Sequence, residues 1–213
     1  MLQWHMCSHY ESVKDKETLK SHFSIDNIPD DVKEDLWPGY LGSFIRKTED
    51  ATSRELLPGS FGLIPHWATD TKIARHTYNA RSETVAEKPS YRDAWRLGRR
   101  CIIPADAFYE PDWRSGKAIQ TRISRADGKP MGIAGLWTGW KSPDGDILRS
   151  YTMLTINADM HPLKCLFHKP TDEKRMVVIL PDDQYDDWMN AGVDDCREFL
   201  REYPADMLVA GPT

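Results

Sequence analysis

Four polar stretches of the sequence contain side chains that can do chemistry. They are a cysteine near the start and three motifs further along: Cys7, NARSET at 79–84, DAFYEPDW at 106–113 and HPLKCLFHKPTDEKR at 161–175. Together they provide a thiol, an amide with a guanidinium, a carboxylate and two imidazoles. A nucleophile, an acid–base pair and an anion-binding group are the usual components of a site that works through a covalent intermediate.

The opening MLQWHMCSHY raises the question of which residue begins the mature protein. If translation starts at Met6 instead of Met1, the small side chain of Cys7 allows an aminopeptidase to remove that methionine. Cys7 then has a free α-amine beside its thiol, a combination that an internal cysteine lacks. We therefore expect two parts. Residues 1–6 are a leader, or residues foreign to the natural protein, and are absent from the mature chain. Residues 7–213 form a single domain.

Glu110 and His168 are the candidate acid–base residues. Glu110 ends an apolar, aromatic run before Pro111, and an apolar wall beside a carboxyl favours proton exchange near neutral pH. The alternative is a solvated glutamate at a strand end, which is the more frequent environment of this residue type. His168 suits the partner role because imidazole is the side chain that titrates near neutrality.

His161 and Cys165 lie in the same stretch as His168 and leave other interpretations open. The spacing H-x-x-x-C-x-x-H could be half of a zinc site, but the sequence shows no second cluster of ligands, so we expect no metal. His161 begins a Pro-containing turn and is more consistent with a hydrogen-bonded structural residue. Cys101 is expected to be buried and inert, and Cys196 incidental. Without C-x-x-C spacing or a secretory signal, the sequence predicts reduced thiols in a cytoplasmic protein.

Positive charge is concentrated in one segment. Residues 72–100 contain eight Lys or Arg and three acidic residues, whereas the whole chain has a net charge of −5. Such a patch can bind a phosphate backbone. Arg81 is a candidate phosphate ligand, with an ion pair to Glu83 or Glu87 as the alternative. Trp67, in FGLIPHWA, could stack on a base or fill the core. Two further candidate DNA contacts are Arg75 and Arg92.

Turn signals and hydrophobic patterns predict the elements that must hold these residues. DKETLKSHF predicts a short helix, and AEKPSYRDAWRLGRRC predicts another from Pro89 or Ser90 to Gly98. Frequent Pro and Gly predict a loop with at most short strands over 28–60. Two short C-terminal helices are predicted, with Asp182 or Asp183 and Asp194 as N-caps. A strongly bent antiparallel sheet is predicted from five stretches: RCIIPADAFYE, AIQTRISR, PMGIAGLWTGW, LRSYTMLTINA and RMVVILP.

In this order the motifs resemble those of the SRAP family, the SOS response-associated peptidases, from Cys7 to about Trp188. MCSHY is similar to the family's MCGRY-type start, FGLIPHWA to its WGLIP-W segment, and NARSET is present verbatim. AFYEPDW resembles the family's EW-type strand, and HKPTDEKRMVVIL is a longer variant of its H-x-R-M-P segment. Ser8 and His9 stand where the family has Gly and Arg.

The resemblance implies an α+β fold that is mostly β, with a barrel-like bent sheet and peripheral helices. Cys7 would be the covalent residue, Asn79 would help to hold it, and Glu110 and His168 would be the acid–base pair. Because the family protects abasic sites, the α-amine of Cys7 would capture the aldehyde of the ring-opened sugar. Its thiol would then close a five-membered thiazolidine. The amine is suited to this step because it is partly unprotonated at neutral pH.

The partner implied is single-stranded DNA that contains abasic sites, including junctions of single and double strands. Arg81 would bind the phosphate next to the lesion, and Trp67 would lie beside the DNA path. We expect a cytoplasmic monomer that reaches the nucleoid through DNA, with lyase activity in addition, no cofactor and no membrane contact. Two alternatives stay open: a peptidase with an N-terminal cysteine, including autoproteolytic removal of residues 1–6, and a non-covalent reader of single strands.

Overall fold

The computed structural model of the protein describes residues 8–28 and 33–212. Strands make up 38% of it and helices 19%, which confirms the predicted mostly β, α+β class. The described strands are β1 Tyr10–Ser12, β2 Asp35–Leu36, β3 Leu41–Lys47, β4 Arg54–Phe61, β5 Asn79–Arg81, β6 Arg100–Asp112, β7 Ile119–Arg125, β8 Met131–Lys141, β9 Ile147–Asn157, β10 Arg175–Val177, β11 Ile179–Leu180 and β12 Leu208–Pro212.

The helices of the described residues are short. The α-helices are α1 Lys16–Phe23, α2 Arg92–Arg96 and α3 Tyr185–Asn190. The 3₁₀ turns are Thr71–His76, Lys164–Leu166, Asp182–Gln184, Cys196–Phe199 and Ala205–Met207. None of the helices within residues 8–28 and 33–212 is long and apolar enough to cross a membrane.

Five strands close into a barrel, as predicted for the bent sheet. β8 pairs antiparallel with β6 on one side and with β9 on the other. β9 pairs with β4, and β4 pairs antiparallel with β3. β3 meets β6 at Ile45 and Ile102, which completes the ring. The five stretches predicted as strands pair antiparallel with one another. Two strands outside those stretches, β4 and β5, pair in parallel with β9.

Aromatic rings fill part of the core. Phe61 makes an edge contact with Tyr10 at 5.1 Å between ring centroids and stacks on Tyr151 at 5.6 Å. The hydroxyls of Tyr10 and Tyr151 lie 2.5 Å apart, so each buried O–H has a partner. Burial of aromatic side chains supplies much of the hydrophobic free energy that a domain of this size needs.

β6 is the strand that carries the candidate carboxylate. It is 13 residues long and changes partners along its length. Its first half, Arg100 to Ala105, pairs with β8, whereas its second half, Phe108 to Asp112, pairs with β7. β1 lies along the other edge of the second half, with Tyr10 opposite Phe108. The second half therefore brings Glu110 next to the chain that follows Cys7, which itself lies outside the described residues.

The region predicted as loop forms two real strands, which corrects the prediction for 28–60. β3 and β4 pair over seven residues, with Ser43 opposite Pro58 and Gly42 opposite Gly59. Pro58 is tolerated because β4 meets β9 only at Ser60 and Phe61, so Pro58 lies where β4 has a single neighbouring strand. Proline and glycine therefore mark the edge of a strand here instead of its absence.

The first two helices follow their sequence signals. The carboxylate of Asp15 caps α1 by accepting a hydrogen bond from the backbone N–H of Thr18, at 2.8 Å. α2 is shorter than predicted, since it begins at Arg92 and not at Pro89 or Ser90. Gly98 follows its end with a φ of +64°, the left-handed conformation that favours glycine just after a helix.

The C-terminal N-cap assignments are wrong. Neither α3 nor the Cys196–Phe199 turn has a side-chain cap. Asp182 instead binds the guanidinium of Arg125 and accepts a hydrogen bond from the hydroxyl of Tyr185 at 3.0 Å. A buried guanidinium without a carboxylate partner costs more free energy than a helix end without a side-chain cap, because water can hydrate the helix end.

Candidate functional site

Glu110 is buried, not solvated. Its residue is 1% exposed, and it pairs with Thr121 across the β6–β7 hairpin. β6 continues to Asp112, so Glu110 lies two residues before the strand end. The alternative of a solvated strand-end glutamate is therefore excluded, and a buried carboxylate of this kind must be paired with hydrogen-bond donors or cations.

His168 is the first partner of Glu110. Its Nε2 lies 2.6 Å from Oε2 of Glu110, and its backbone N–H donates to the carbonyl of Pro111 at 2.8 Å. The backbone φ of His168 is +62°, a conformation that few residues other than glycine adopt. Such strain is kept where the surroundings require one side-chain direction. Here that direction aims the imidazole at the carboxylate.

Lys164 is the second partner, and the sequence interpretation missed it. The residue is fully buried, and its Nζ donates to Oε1 of Glu110. The rings of Phe108 and Phe167 flank the ammonium, with centroids 5.1 and 5.8 Å from Nζ. The apolar run LKCLF at 163–167 is a weak signal that Lys164 is partly buried, but it does not indicate which carboxylate Lys164 binds.

His161 does not join this cluster. Its Nδ1 accepts the backbone N–H of Lys164 at 3.0 Å, and its Nε2 donates to the carbonyl of Tyr203 at 2.8 Å. Both ring nitrogens are thus used in holding the turn that carries Lys164, which supports the interpretation of His161 as structural. Among the residues that the structure describes, no group of three or more His, Cys, Asp or Glu is placed to hold a metal.

A cavity opens beside Glu110 and reaches the residue after Cys7. It has a volume of about 220 Å³ and is lined by Ser8, His9, Tyr109, Glu110, Pro111, Ala118 and Gln120. Cys7 falls outside the described residues, but Ser8 is in the wall. Glu110 and Ser8, the residue after Cys7, therefore line one cavity.

His9 forms the other wall of this cavity as the middle ring of a stack. Its imidazole lies between Trp37 and Tyr109, at 4.2 and 4.1 Å between centroids and within 10° of parallel. Nε2 of His9 lies 3.0 Å from Oδ1 of Asp35, and Nδ1 lies 2.6 Å from the amide of Gln120. His9 is thus fixed on both faces and at both nitrogens.

The hydroxyl of Tyr109 extends this wall into an ion-pair cluster. It donates to Glu11, which also binds the guanidinium of Arg122 at 2.7 Å. Burial and the hydrogen bond to Glu11 raise the pKa of Tyr109 to about 12. Burial and the negative charge of Glu11 raise the pKa of the neighbouring Asp106 to about 6. Tyr109 therefore stays neutral at physiological pH. Asp106 is ionised at that pH, and its ionisation lowers the stability of the folded state.

Asn79 and Arg81 lie on β5, beside β9. Asn79 is half-buried, and its carbonyl accepts a hydrogen bond from the hydroxyl of Tyr91 at 3.0 Å. Arg81 is exposed and pairs with Glu173 at 2.8 Å. The ion pair is not with Glu83 or Glu87, as the alternative had it, because Glu83 binds the buried Arg175. An exposed guanidinium with one carboxylate partner can exchange that partner for a phosphate.

The other predicted DNA contacts lie on the surface, and no hydrogen bond or ring contact among the described residues joins them to Glu110. Trp67 is 47% exposed, so it does not fill the core, and its indole N–H donates to the carbonyl of Pro89 at 3.3 Å. Arg75 is exposed in the Thr71–His76 turn. Arg92 is exposed at the start of α2 and shares a groove with Arg96 and Arg197.

The loop that carries Trp67 is fixed by a glycine. Gly62, in FGLIPHWA, has a φ of +118°, and a Cβ at this position would lie 1.9 Å from the carbonyl oxygen of Ala74. Only glycine fits both constraints. Ile64 continues the loop, and its N–H donates to the hydroxyl of Ser150 at 2.8 Å. The fold therefore requires the glycine of this motif, whether or not a ligand binds there.

The free cysteines of the described residues are 101, 165 and 196. Cys101 is fully buried, and burial raises the pKa of its thiol, which confirms the expected inert residue. Cys196 is also buried, and its thiol donates to the carbonyl of Val193. Cys165 is exposed beside the Lys164 turn, which makes it a useful reference thiol in experiments.

Comparison with known proteins places this geometry in a family. YoqW, an abasic site processing protein of Bacillus subtilis, is 31% identical over 96% of this chain and 91% of its own length. YobE, an abasic site processing protein of the same organism, is 32% identical over 96% and 93%. The mouse abasic site processing protein HMCES is 28% identical over 53% of this chain and 40% of its own length.

Solved structures show the same fold. A crystal structure of a protein from Bordetella bronchiseptica is 48% identical, with a TM-score of 0.88 over 97% of this chain and 99% of that chain. A protein from Bacteroides thetaiotaomicron, 22% identical, has a TM-score of 0.78 over 96% and 90%. The model of the family described as SOS response associated peptidase (SRAP) matches residues 6–212. The chain therefore belongs to the SRAP family.

Proposed function

We propose that this protein processes abasic sites in single-stranded DNA by forming a covalent bond between Cys7 and the opened sugar, as part of the response to DNA damage. The observation that carries the proposal is the buried Glu110–His168 pair, which borders a cavity whose wall also contains Ser8, the neighbour of Cys7. The names of the relatives, abasic site processing proteins, support the same substrate.

The chemistry assigns a role to each group. The α-amine of Cys7 attacks the aldehyde carbon of the ring-opened sugar, and loss of one water gives an imine. The thiol of Cys7 then adds to the imine carbon, and its proton passes to the nitrogen, which closes a thiazolidine. Glu110 accepts a proton from the amine, and His168 delivers a proton to the departing hydroxyl. Asn79 helps to hold the cysteine.

The mechanism sets a requirement on the N-terminus. A chain that keeps residues 1–6 has an amide at Cys7, and an amide nitrogen does not form an imine. We therefore infer that the active protein begins at Cys7. The family match begins at Met6, directly before that cysteine, which supports this start.

The DNA is held by residues outside the cavity. Arg81 exchanges Glu173 for the phosphate beside the lesion, and Trp67 offers an exposed indole on which a base can stack. Arg75 and Arg92 add positive charge along the path. Binding by phosphate contacts and stacking without base-edge readout is independent of sequence, which suits a protein that must find lesions anywhere.

The experiment that tests the proposal compares two cysteines. Protein that begins at Cys7 is incubated with a single-stranded oligonucleotide carrying one abasic site, and the covalent product is counted on a denaturing gel. We expect full crosslinking by the unaltered protein and by Cys165→Ser, and none by Cys7→Ala. Crosslinking by Cys7→Ala at an undiminished level would refute the proposal.

The family description as a peptidase supports a second candidate function, autoproteolytic removal of residues 1–6. The same groups would serve, with the thiol of Cys7 as nucleophile and Glu110 and His168 as acid and base. The full-length chain, purified in a form that still has residues 1–6, should then lose them on incubation, and Glu110→Gln should not. Equal retention of residues 1–6 by both proteins would contradict autoproteolysis and leave the crosslinking reaction unaffected.

A further inference from the structure

Lys164 contacts the acid–base pair but has no place in the chemistry described so far. Its side chain and that of Glu110 are both fully buried, and its ammonium binds Oε1 while His168 binds Oε2. The carboxylate thus lies between two basic groups, one on each oxygen. The two donors come from one segment, the turn Lys164–Leu166 and the residue that follows its end by two positions.

The charges of the cluster determine how many protons it holds. A buried ammonium is tolerated only beside a compensating charge, and Glu110 supplies that charge. With Lys164 cationic and Glu110 anionic, the cluster is neutral when the imidazole of His168 is neutral. If the ammonium were absent, the buried carboxylate would lose the positive charge on Oε1, which favours binding of a proton, either on its own oxygen or on His168.

We propose that Lys164 is a positioning residue that keeps Glu110 ionised and His168 neutral in the resting site. The proposal rests on the proposed function, in which Glu110 accepts a proton and His168 passes one on. A carboxylate that has already bound a proton cannot accept the proton of the Cys7 amine, so Lys164 prepares the pair for the forward reaction.

Three other ionisable residues near Glu110 in the described part of the chain have partners of their own. His9 shares the cavity, but its ring nitrogens are used by Asp35 and Gln120. Asp112, two residues along β6, is bound by the guanidinium of Arg114 at 2.6 Å. The ammonium of Lys169 lies over the ring of Trp113, 4.9 Å from its centroid. Among the described residues, Lys164 supplies the ammonium that contacts Glu110.

The test is a titration that needs no DNA. Carbon-13 NMR of labelled glutamate and histidine side chains follows Glu110 and His168, with assignment by Glu110→Gln and His168→Gln. In Lys164→Met, the Glu110–His168 pair should take up its proton at a pH at least about one unit higher than in the unaltered protein. An unchanged midpoint in Lys164→Met would overturn the proposal.

A second variant separates charge from packing. Lys164→Gln keeps a hydrogen-bond donor to Glu110 and removes the positive charge, so its midpoint of proton uptake should shift upward as in Lys164→Met. If Lys164→Met does not fold, Lys164→Gln alone tests the proposal. Lys47→Met, which removes the lysine of a 2.8 Å pair with Asp186 elsewhere, should leave the midpoint unchanged. A shift in Lys47→Met as large as that in Lys164→Gln would contradict a local effect.

Crosslinking then separates this inference from the proposed function. At a pH between the two titration midpoints, Lys164→Gln should crosslink more slowly than the unaltered protein, with DNA affinity unchanged, because the ionised fraction of Glu110 differs between the two proteins there. Well above both midpoints the two rates should agree. If the unaltered protein does not crosslink but the titration shifts, the proposed function fails and the assignment of Lys164 stands. If the protein crosslinks and the titration does not shift, Lys164 has no such role.

Discussion

Nε2 of His168 lies 2.6 Å from Oε2 of Glu110, although the two residues are 58 positions apart in the chain. The backbone achieves this contact with a short bridge between the end of β6 and the residue before His168. The side chains of both residues are almost fully buried. An acid–base pair joined in this way keeps its geometry without substrate, and several measurable consequences follow from it.

Glu110→Gln should slow crosslinking by about 100-fold or more, because an amide cannot accept the proton of the amine. Noncovalent affinity for the same oligonucleotide should change less than about threefold, since the side chain of Glu110 is fully buried and lies away from the exposed phosphate-binding surface. The rate is measured by quenched time points on a denaturing gel and the affinity by fluorescence anisotropy. Equal loss of rate and of affinity would show that Glu110 acts in binding instead.

Arg81→Ala should weaken binding of single-stranded DNA and make it less dependent on salt. Loss of one phosphate contact lowers the slope of log K against log salt concentration by about 0.7 for a single strand. Arg201→Ala is the matched control, because Arg201 is exposed but lies in the acidic C-terminal segment. The same change in slope for both variants would contradict a specific role of Arg81.

Trp67→Ala should weaken binding of single-stranded DNA by roughly 5- to 150-fold, the range that corresponds to 1–3 kcal/mol for stacking one base. Trp67→Phe keeps an aromatic face and should lose less. Because Trp67 is 47% exposed, the melting temperature of the free protein should be nearly unchanged. A large drop in melting temperature without a loss of affinity would show that Trp67 stabilises the fold and does not bind DNA.

Asp106→Asn should stabilise the protein above neutral pH. Burial and the charge of Glu11 raise the pKa of Asp106 to about 6, so the folded state loses stability as pH rises from the unfolded value near 4 through about 6. The variant lacks this loss. We expect a gain of about 1 kcal/mol at pH 8, after allowance for solvent screening, and none near pH 4. Denaturant unfolding at both values measures it, and an equal gain at both would contradict the electrostatic cause.

The sequence predicted the elements whose signals are local. Asp15 caps α1 and Gly98 follows α2, as capping chemistry requires. The alternation and bulk of apolar residues predicted three of the five barrel strands, β6, β8 and β9. The strand around Pro58 was missed because the tolerance for proline depends on where the neighbouring strand ends, and that is set by residues far away in the chain. Asp182 was misassigned for the same reason, since its partner Arg125 lies 57 positions away.

The candidate site was predictable as a set of residues and not as an arrangement. Glu110 and His168 were identified by residue type and by motif, and the structure brings them together. Lys164 was missed because nothing in a linear pattern shows which buried carboxylate a lysine will meet. The ion-pair alternative for Arg81 named Glu83 or Glu87, whereas the structure gives Glu173, which depends on how β5 and β9 pair.

The most direct test of the account is the intact mass of the purified protein before and after incubation with a single-stranded oligonucleotide that carries one abasic site. The covalent mechanism predicts a starting mass for a chain that begins at Cys7. It then predicts a product equal to that mass plus the oligonucleotide minus one water, in the unaltered protein and not in Cys7→Ala. A chain that begins at Cys7 and gains no mass under these conditions would contradict the covalent mechanism.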